Sequence, residues 1–218
     1  MSNVADFLLA ALIVVGLYMV ATSRLGACVR ASALQGIILA ALPLALEWAH
    51  GVSRPSAHVV TLALGALLIK ATLIPRLLLR SIREAGVRRE VEPMTSLHAS
   101  ILAATALVAL AFWLAAEMPL PTPVAARLLE PAAIANVLLG FLLVVARRQA
   151  ITQVVGYLVL ENGVFVFGLG LASQQPILVE MSVLLDVLVG VFVMGIAINH
   201  ISETFDHIDA GALASLRE

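Results

Sequence analysis

Three ionisable side chains stand in the middle of apolar runs: Glu161 within Gln153–Leu171, Asp186 within Ile177–His200 and Lys70 within Val59–Leu79. An ionised side chain at the centre of a bilayer costs at least ~2.5–3.5 kcal/mol on insertion scales, so such residues are usually kept for a use. Two carboxylates and an amine can take up, hold and release protons. Their depths agree. At about 1.5 Å of rise per residue, Glu161 lies about 15 Å from Ile151, and Asp186 about 13 Å from Ile177. Lys70 reaches about the same level counted from Val59, and in a hydrocarbon core about 30 Å thick all three fall near the midplane. Each also has a plainer use. Glu161 or Asp186 would serve to hydrogen-bond a neighbouring helix, and Lys70 would serve as counter-ion to a buried acid.

Composition sets the surroundings of these groups. Of 218 residues, 61% are hydrophobic and only 12% charged, against roughly 25% charged in a soluble domain. The mean hydropathy of +1.05 places most of the chain in lipid. A net charge of −1 excludes a basic field for nucleic acid. Cys28, the one cysteine, excludes an internal disulfide or a cysteine-held cluster. The five histidines show no metal-ligand spacing, and the glycines form no phosphate-binding loop. The chain is therefore expected to bind no cofactor itself. The first apolar run lacks a basic leader and is followed by Arg24, which reads as a retained helix rather than a cleaved signal.

With ~20 apolar residues needed per span, seven transmembrane helices are expected: Val4–Ala21, Ala31–Ala49, Val59–Leu79, Leu97–Ala116, Leu129–Ala146, Ile151–Leu171 and Ile177–Ile201. The fold class is all-α and polytopic. Arg24, Arg30, Arg76, Arg80, Arg83, Arg88, Arg89, Arg147, Arg148 and Arg217 fall on one set of loops, and only Arg54 and Arg127 on the other. The positive-inside rule then puts the N-terminus out and the C-terminus in. Trp48 and Trp113 fall at outer helix ends, as an interfacial belt requires. The loop Ile82–Glu92 mixes arginines with Glu84, Glu90 and Glu92, and reads either as a solvated loop or as a docking surface for a soluble partner.

Other polar residues attend the three central groups. Glu180, near the outer mouth, and His200, at the inner end of the last helix, stand where protons would enter or leave. A wetted interfacial acid and a helix-end histidine are the plainer readings. Thr72, Ser100, Thr105, Asn136, Gln153 and Asn162 read as helix–helix hydrogen-bonders, and Asn162 adjoins Glu161. Pro43 and Pro75 are expected to interrupt helices two and three, Pro75 removing the hydrogen bond to the Ala71 carbonyl beside Lys70. Gly156 and Gly163 on helix six would permit close helix approach.

The run Ala146-Arg147-Arg148 through Gly156 to Glu161-Asn162 resembles the K subunit of bacterial complex I, which has a basic pair, a glycine, an intramembrane glutamate and an asparagine. The family's glutamate aligns with Leu158, and this chain carries Glu161 instead, three residues on and on roughly the same helix face. Asp186 before Gly190, and His207-Ile208-Asp209 in the tail, extend the likeness. With four helices in front, and with Lys70 followed by Pro75 in helix three, the whole chain resembles the hydrogenase-4 component E family, a membrane subunit of the complex I-like group 4 [NiFe] hydrogenases.

The resemblance implies a four-helix extension over residues 1–128, a K-subunit-like region over 129–201 and a cytoplasmic tail over 202–218. It implies a place in the cell inner membrane beside antiporter-like and hydrogenase-like subunits, with the nickel–iron centre and iron–sulfur clusters in those partners. Glu161 and Asp186 would carry protons, Lys70 would tune or gate them, and Asn162 and Pro75 would support the path. Two alternatives stay open: a non-conducting structural adaptor of such a complex, or a subunit of a multi-subunit cation/proton antiporter. Helices one to three and five to seven also share a direction and a basic loop, a weak internal echo.

Overall fold

The computed structural model describes residues 2–52, 54–84, 96–117, 126–147 and 149–171. Asp186, Glu180, His200, the expected span Ile177–Ile201, the tail and most of the loop Ile82–Glu92 lie outside the described residues. Those described are helical and contain no strand.

The helices are α1 (Ser2–Ala21), α2 (Leu25–Ala49), α3 (Ala57–Ala66), α4 (Ile74–Glu84), α5 (Leu97–Glu117), α6 (Leu129–Ala146) and α7 (Ala150–Leu171). A π-helical segment, Leu67–Leu73, joins α3 to α4, so that they form one continuous rod. Among the described residues, six helices are long and apolar enough to cross a membrane. The chain is a multi-pass membrane protein on that ground.

One boundary differs from expectation. Arg30 was expected to precede the second span, yet α2 starts at Leu25. Leu25, Cys28 and Val29 are buried, while Arg30 points out of the bundle. One charged residue on the outer face does not end a helix whose inner face stays apolar. The prolines also act less abruptly than expected. Pro43 is buried inside an unbroken α2. Before Pro75 the helix widens: the Ile74 amide donates to the Ile69 carbonyl, five residues back. Pro75 has no N–H to give, and the wider turn carries the rod through to α4. Pro131 is third in α6, where the amide would have no intrahelical partner in any case.

The core divides into two apolar clusters. One gathers Leu9, Leu12, Leu39, Leu42, Leu129 and Phe165; the other gathers Met19, Val29, Leu78, Leu143, Val155 and Val159. The side chains at intermediate positions along the same helices are polar and buried: Gln35, Lys70, Asn136, Glu161 and Asn162. The outside of the bundle inverts the rule for soluble proteins, with Leu102 74%, Phe7 72% and Leu68 67% exposed. Such a surface suits lipid.

Because lipid tails are as apolar as leucine, membrane helices are held by close packing and by interhelical hydrogen bonds. Gly140 and Gly156 serve the first purpose. A Cβ on Gly140 would run into the Leu160 amide nitrogen and lie 2.7 Å from the Gly156 carbonyl, and one on Gly156 would lie 2.8 Å from the Val144 nitrogen. Backbone therefore meets backbone between α6 and α7, the most extensive helix pairing in the structure.

Two polar ties orient α1 against α6. The Leu128 amide, at the start of α6, donates to Asp6 Oδ1, near the start of α1, at 3.0 Å. At the other end, Arg147 Nη2 donates to the Val20 carbonyl at 2.9 Å and to the Thr22 carbonyl at 3.5 Å. Start meets start and end meets end, so α1 and α6 run parallel. Arg147 is only 3% exposed. It satisfies carbonyls at the end of α1, where a cation also complements the helix dipole.

Candidate functional site: a buried ion pair on a chain of amides

Lys70 and Glu161 meet in the polar layer. Lys70 Nζ donates to Glu161 Oε1, and the two side chains are 4% and 0% exposed. The amine also donates to Asn162 Oδ1 at 3.2 Å and lies 5.6 Å from the centre of the Phe165 ring, within reach of a cation–π attraction. An ammonium thus faces a carboxylate, an amide oxygen and an aromatic ring. Such partners offset its desolvation; a buried charge without any would be prohibitive.

The backbone around Lys70 is set by its neighbours. Lys70 sits in the middle of the π-helical segment, five residues before Pro75. π-Helical turns are rare and are found disproportionately at functional sites. On the facing helix, Gly36 has no side chain where one would collide: a Cβ there would lie 2.7 Å from the Lys70 carbonyl carbon and from the Ala71 nitrogen. Glycine lets α2 press directly on the widened turn that carries the lysine.

From Asn162 a chain of amides crosses the bundle. Asn162 Nδ2 donates to Gln35 Oε1 at 3.0 Å, and Gln35 Nε2 donates to Asn136 Oδ1 at 3.1 Å and to the Leu12 carbonyl at 3.2 Å. Asn136 Nδ2 ends the chain on the Ala132 carbonyl at 2.8 Å. α1, α2, α6, α7 and the π-helical segment are thereby stitched at one level. Every side-chain amide accepts from the Lys70 side and donates away from it.

Of the residues expected to carry chemistry, the structure brings Lys70, Glu161 and Asn162 into direct contact and places Pro75 just beyond the lysine's turn. Asp186, Glu180 and His200 fall outside the described residues. Asn136, expected only as a helix–helix bonder, is the far anchor of the chain. Gln35 was missed. Counted from Ala31 it would lie at the edge of the membrane. Counted from Leu25, where α2 begins, it lies about 15 Å in. An intramembrane glutamine at Lys70's depth was the available signal, hidden by placing the helix start too late. Among the described residues, Thr72 and Thr105 bond the carbonyls of Leu68 and Ile101 on their own helices.

The fold and this site define a class: a multi-pass helical membrane protein whose interior holds a lysine–glutamate pair on an amide network. Over its full 218 residues the chain is 30% identical to the uncharacterized protein Rv0085 of Mycobacterium tuberculosis, covering 97% of that protein. It belongs to the same family as Rv0085. A stretch of 120 residues, 54% of this chain and 54% of the relative, is 32% identical to hydrogenase-4 component E of Escherichia coli K12. The same protein of Shigella flexneri gives the same figures. No family model and no solved structure matches the chain.

Proposed function

We propose that this chain is a membrane-arm subunit of a complex I-like, redox-driven complex of the group 4 hydrogenase type, and that Lys70 and Glu161 form part of its proton path. The observation that carries the reading is the buried Lys70–Glu161 pair at mid-membrane depth. The similarity to hydrogenase-4 component E, over half of each chain, supplies the kind of complex. A carboxylate and an amine in contact can exchange a proton without moving far. Because each neutralises the other, a proton arriving at the glutamate or leaving the lysine unbalances the pair and favours a compensating transfer nearby. Asp186 would extend the path through the seventh span, with Glu180 and His200 toward its two ends. The N-terminus would face outward across the inner membrane. Antiporter-like and hydrogenase-like subunits would lie alongside, and the nickel–iron centre and iron–sulfur clusters would belong to those partners.

A second reading is favoured by the same geometry: a non-conducting adaptor. The pair and its amides tie five helical segments together, which a purely structural subunit would also need. Purification in mild detergent, with mass spectrometry of the co-purifying proteins, tests the complex. Hydrogenase-like and antiporter-like partners are expected. Recovery with antiporter-like subunits alone would move the assignment to a cation/proton antiporter. Glu161→Gln then separates the two roles: loss of proton movement with assembly intact marks a path, whereas loss of assembly marks an adaptor.

A further inference from the structure

The amide chain has a direction, and that direction bears on Lys70. Asn162 can present either its oxygen or its NH2 to the lysine. The ammonium needs the oxygen. The choice is fixed from behind, because Gln35 Oε1 accepts from Asn162 Nδ2 at 3.0 Å. Gln35 is held in its own orientation twice, by donating to the Leu12 carbonyl at 3.2 Å and to Asn136 Oδ1 at 3.1 Å. A backbone carbonyl can only accept, so the Leu12 contact fixes which end of the Gln35 amide is the donor. Asn136 is fixed in the same way by the Ala132 carbonyl. Gln35, Asn136 and Asn162 are 0%, 0% and 3% exposed, so bulk water is not at hand to substitute for a lost partner.

We propose that Gln35 is a positioning residue for Lys70: by fixing the polarity of the amide chain, it keeps the Asn162 oxygen turned toward the lysine amine. Gln35 does this through Asn162, with no bond of its own to the lysine. The ionisable groups around Lys70 are few among the described residues. Glu161 is in contact, and Tyr157 lies one turn earlier on α7. Arg30 and Glu47 on α2, His58 on α3 and Arg76 on α4 stand a turn or more away along their helices. The inference rests on the reading of Lys70 and Glu161 as the proton-handling pair, yet its test is separate from proton transport.

Lys70 is the sole lysine of the chain, so labelling lysine with 15N at Nζ gives one side-chain signal. Solid-state NMR of the full-length protein in phosphatidylcholine liposomes reads the hydrogen bonding of that amine, including its contact with the Asn162 side chain, directly. Gln35→Met is expected to shift the Lys70 Nζ signal and to lose most of its through-space contact with the Asn162 side chain. Asn136→Leu removes one of the two anchors of Gln35 and should shift the signal in the same direction by less. If Gln35→Met does not fold, Asn136→Leu decides. An unchanged Lys70 signal and an unchanged contact with Asn162 in the folded variant overturn the inference and leave Gln35 as helix glue. A shifted Lys70 with undiminished proton transport by the complex supports the role of Gln35 and counts against the proton path.

Discussion

Lys70 and Glu161 are separated by 91 residues of sequence and meet as a buried ion pair between two apolar clusters. Removing one partner strands the other's charge away from water, which typically costs about 3–5 kcal/mol, whereas replacing both with apolar groups of similar volume is often close to neutral. Lys70→Met and Glu161→Leu are therefore each expected to destabilise the bundle strongly, and the double variant to recover most of the loss. Melting or denaturant titration in detergent measures the cycle. Additive effects of the two substitutions would contradict the pairing.

Helix approach gives a second expectation. Gly36→Val places a side chain where the Lys70 and Ala71 backbone already lies, 2.7 Å from an added Cβ, and should cost at least ~1–3 kcal/mol as an overpacked contact. Among the described residues, nothing lies within 4 Å of a Cβ on Gly26 or Gly65. Alanine at those helical positions should be neutral or stabilising by up to ~1 kcal/mol. The same stability assay, run on all three, checks both signs.

Arg147 is expected to be intolerant of lysine despite the retained charge. Both the Val20 and Thr22 carbonyls accept from the same nitrogen, Nη2, which lies one bond farther from the backbone than a lysine Nζ reaches. Arg147→Leu should cost about 1–3 kcal/mol by leaving buried acceptors unpaired, and Arg147→Lys should fall between leucine and the natural residue. Hydrogen exchange at the end of α1 would show where the loss is felt.

Much of this architecture was legible in composition and run length. The runs 129–146 and 151–171 match α6 and α7 to within a residue, because each is bounded by charge or proline at the membrane surface. The shared depth of Lys70 and Glu161 could be counted from rise per residue alone. The missing part was side-chain-mediated. Arg30 looked like a boundary because a sequence does not show which face of a helix a residue occupies. Moving the start of α2 hid Gln35, the centre of the amide chain. The effect of Pro75 was foreseen at the right place but in the wrong form, since a lost backbone bond can be absorbed by widening one turn as well as by a break.

Orientation is a further expectation, drawn from the arginine distribution. In a Cys28→Ser background, Arg54→Cys should react with a membrane-impermeant thiol reagent from outside intact cells or spheroplasts. Arg83→Cys should react only after the membrane is opened. The reverse pattern would invert the topology.

The most direct test of the central claim is proton translocation by membrane vesicles containing the assembled complex, with Glu161→Gln in place of the natural residue and partner subunits verified by mass spectrometry. Glutamine retains an oxygen for Lys70 but cannot carry a proton as a carboxylate does. The account predicts an intact complex in which redox-driven proton movement is lost. Undiminished translocation in an assembled Glu161→Gln complex would contradict it.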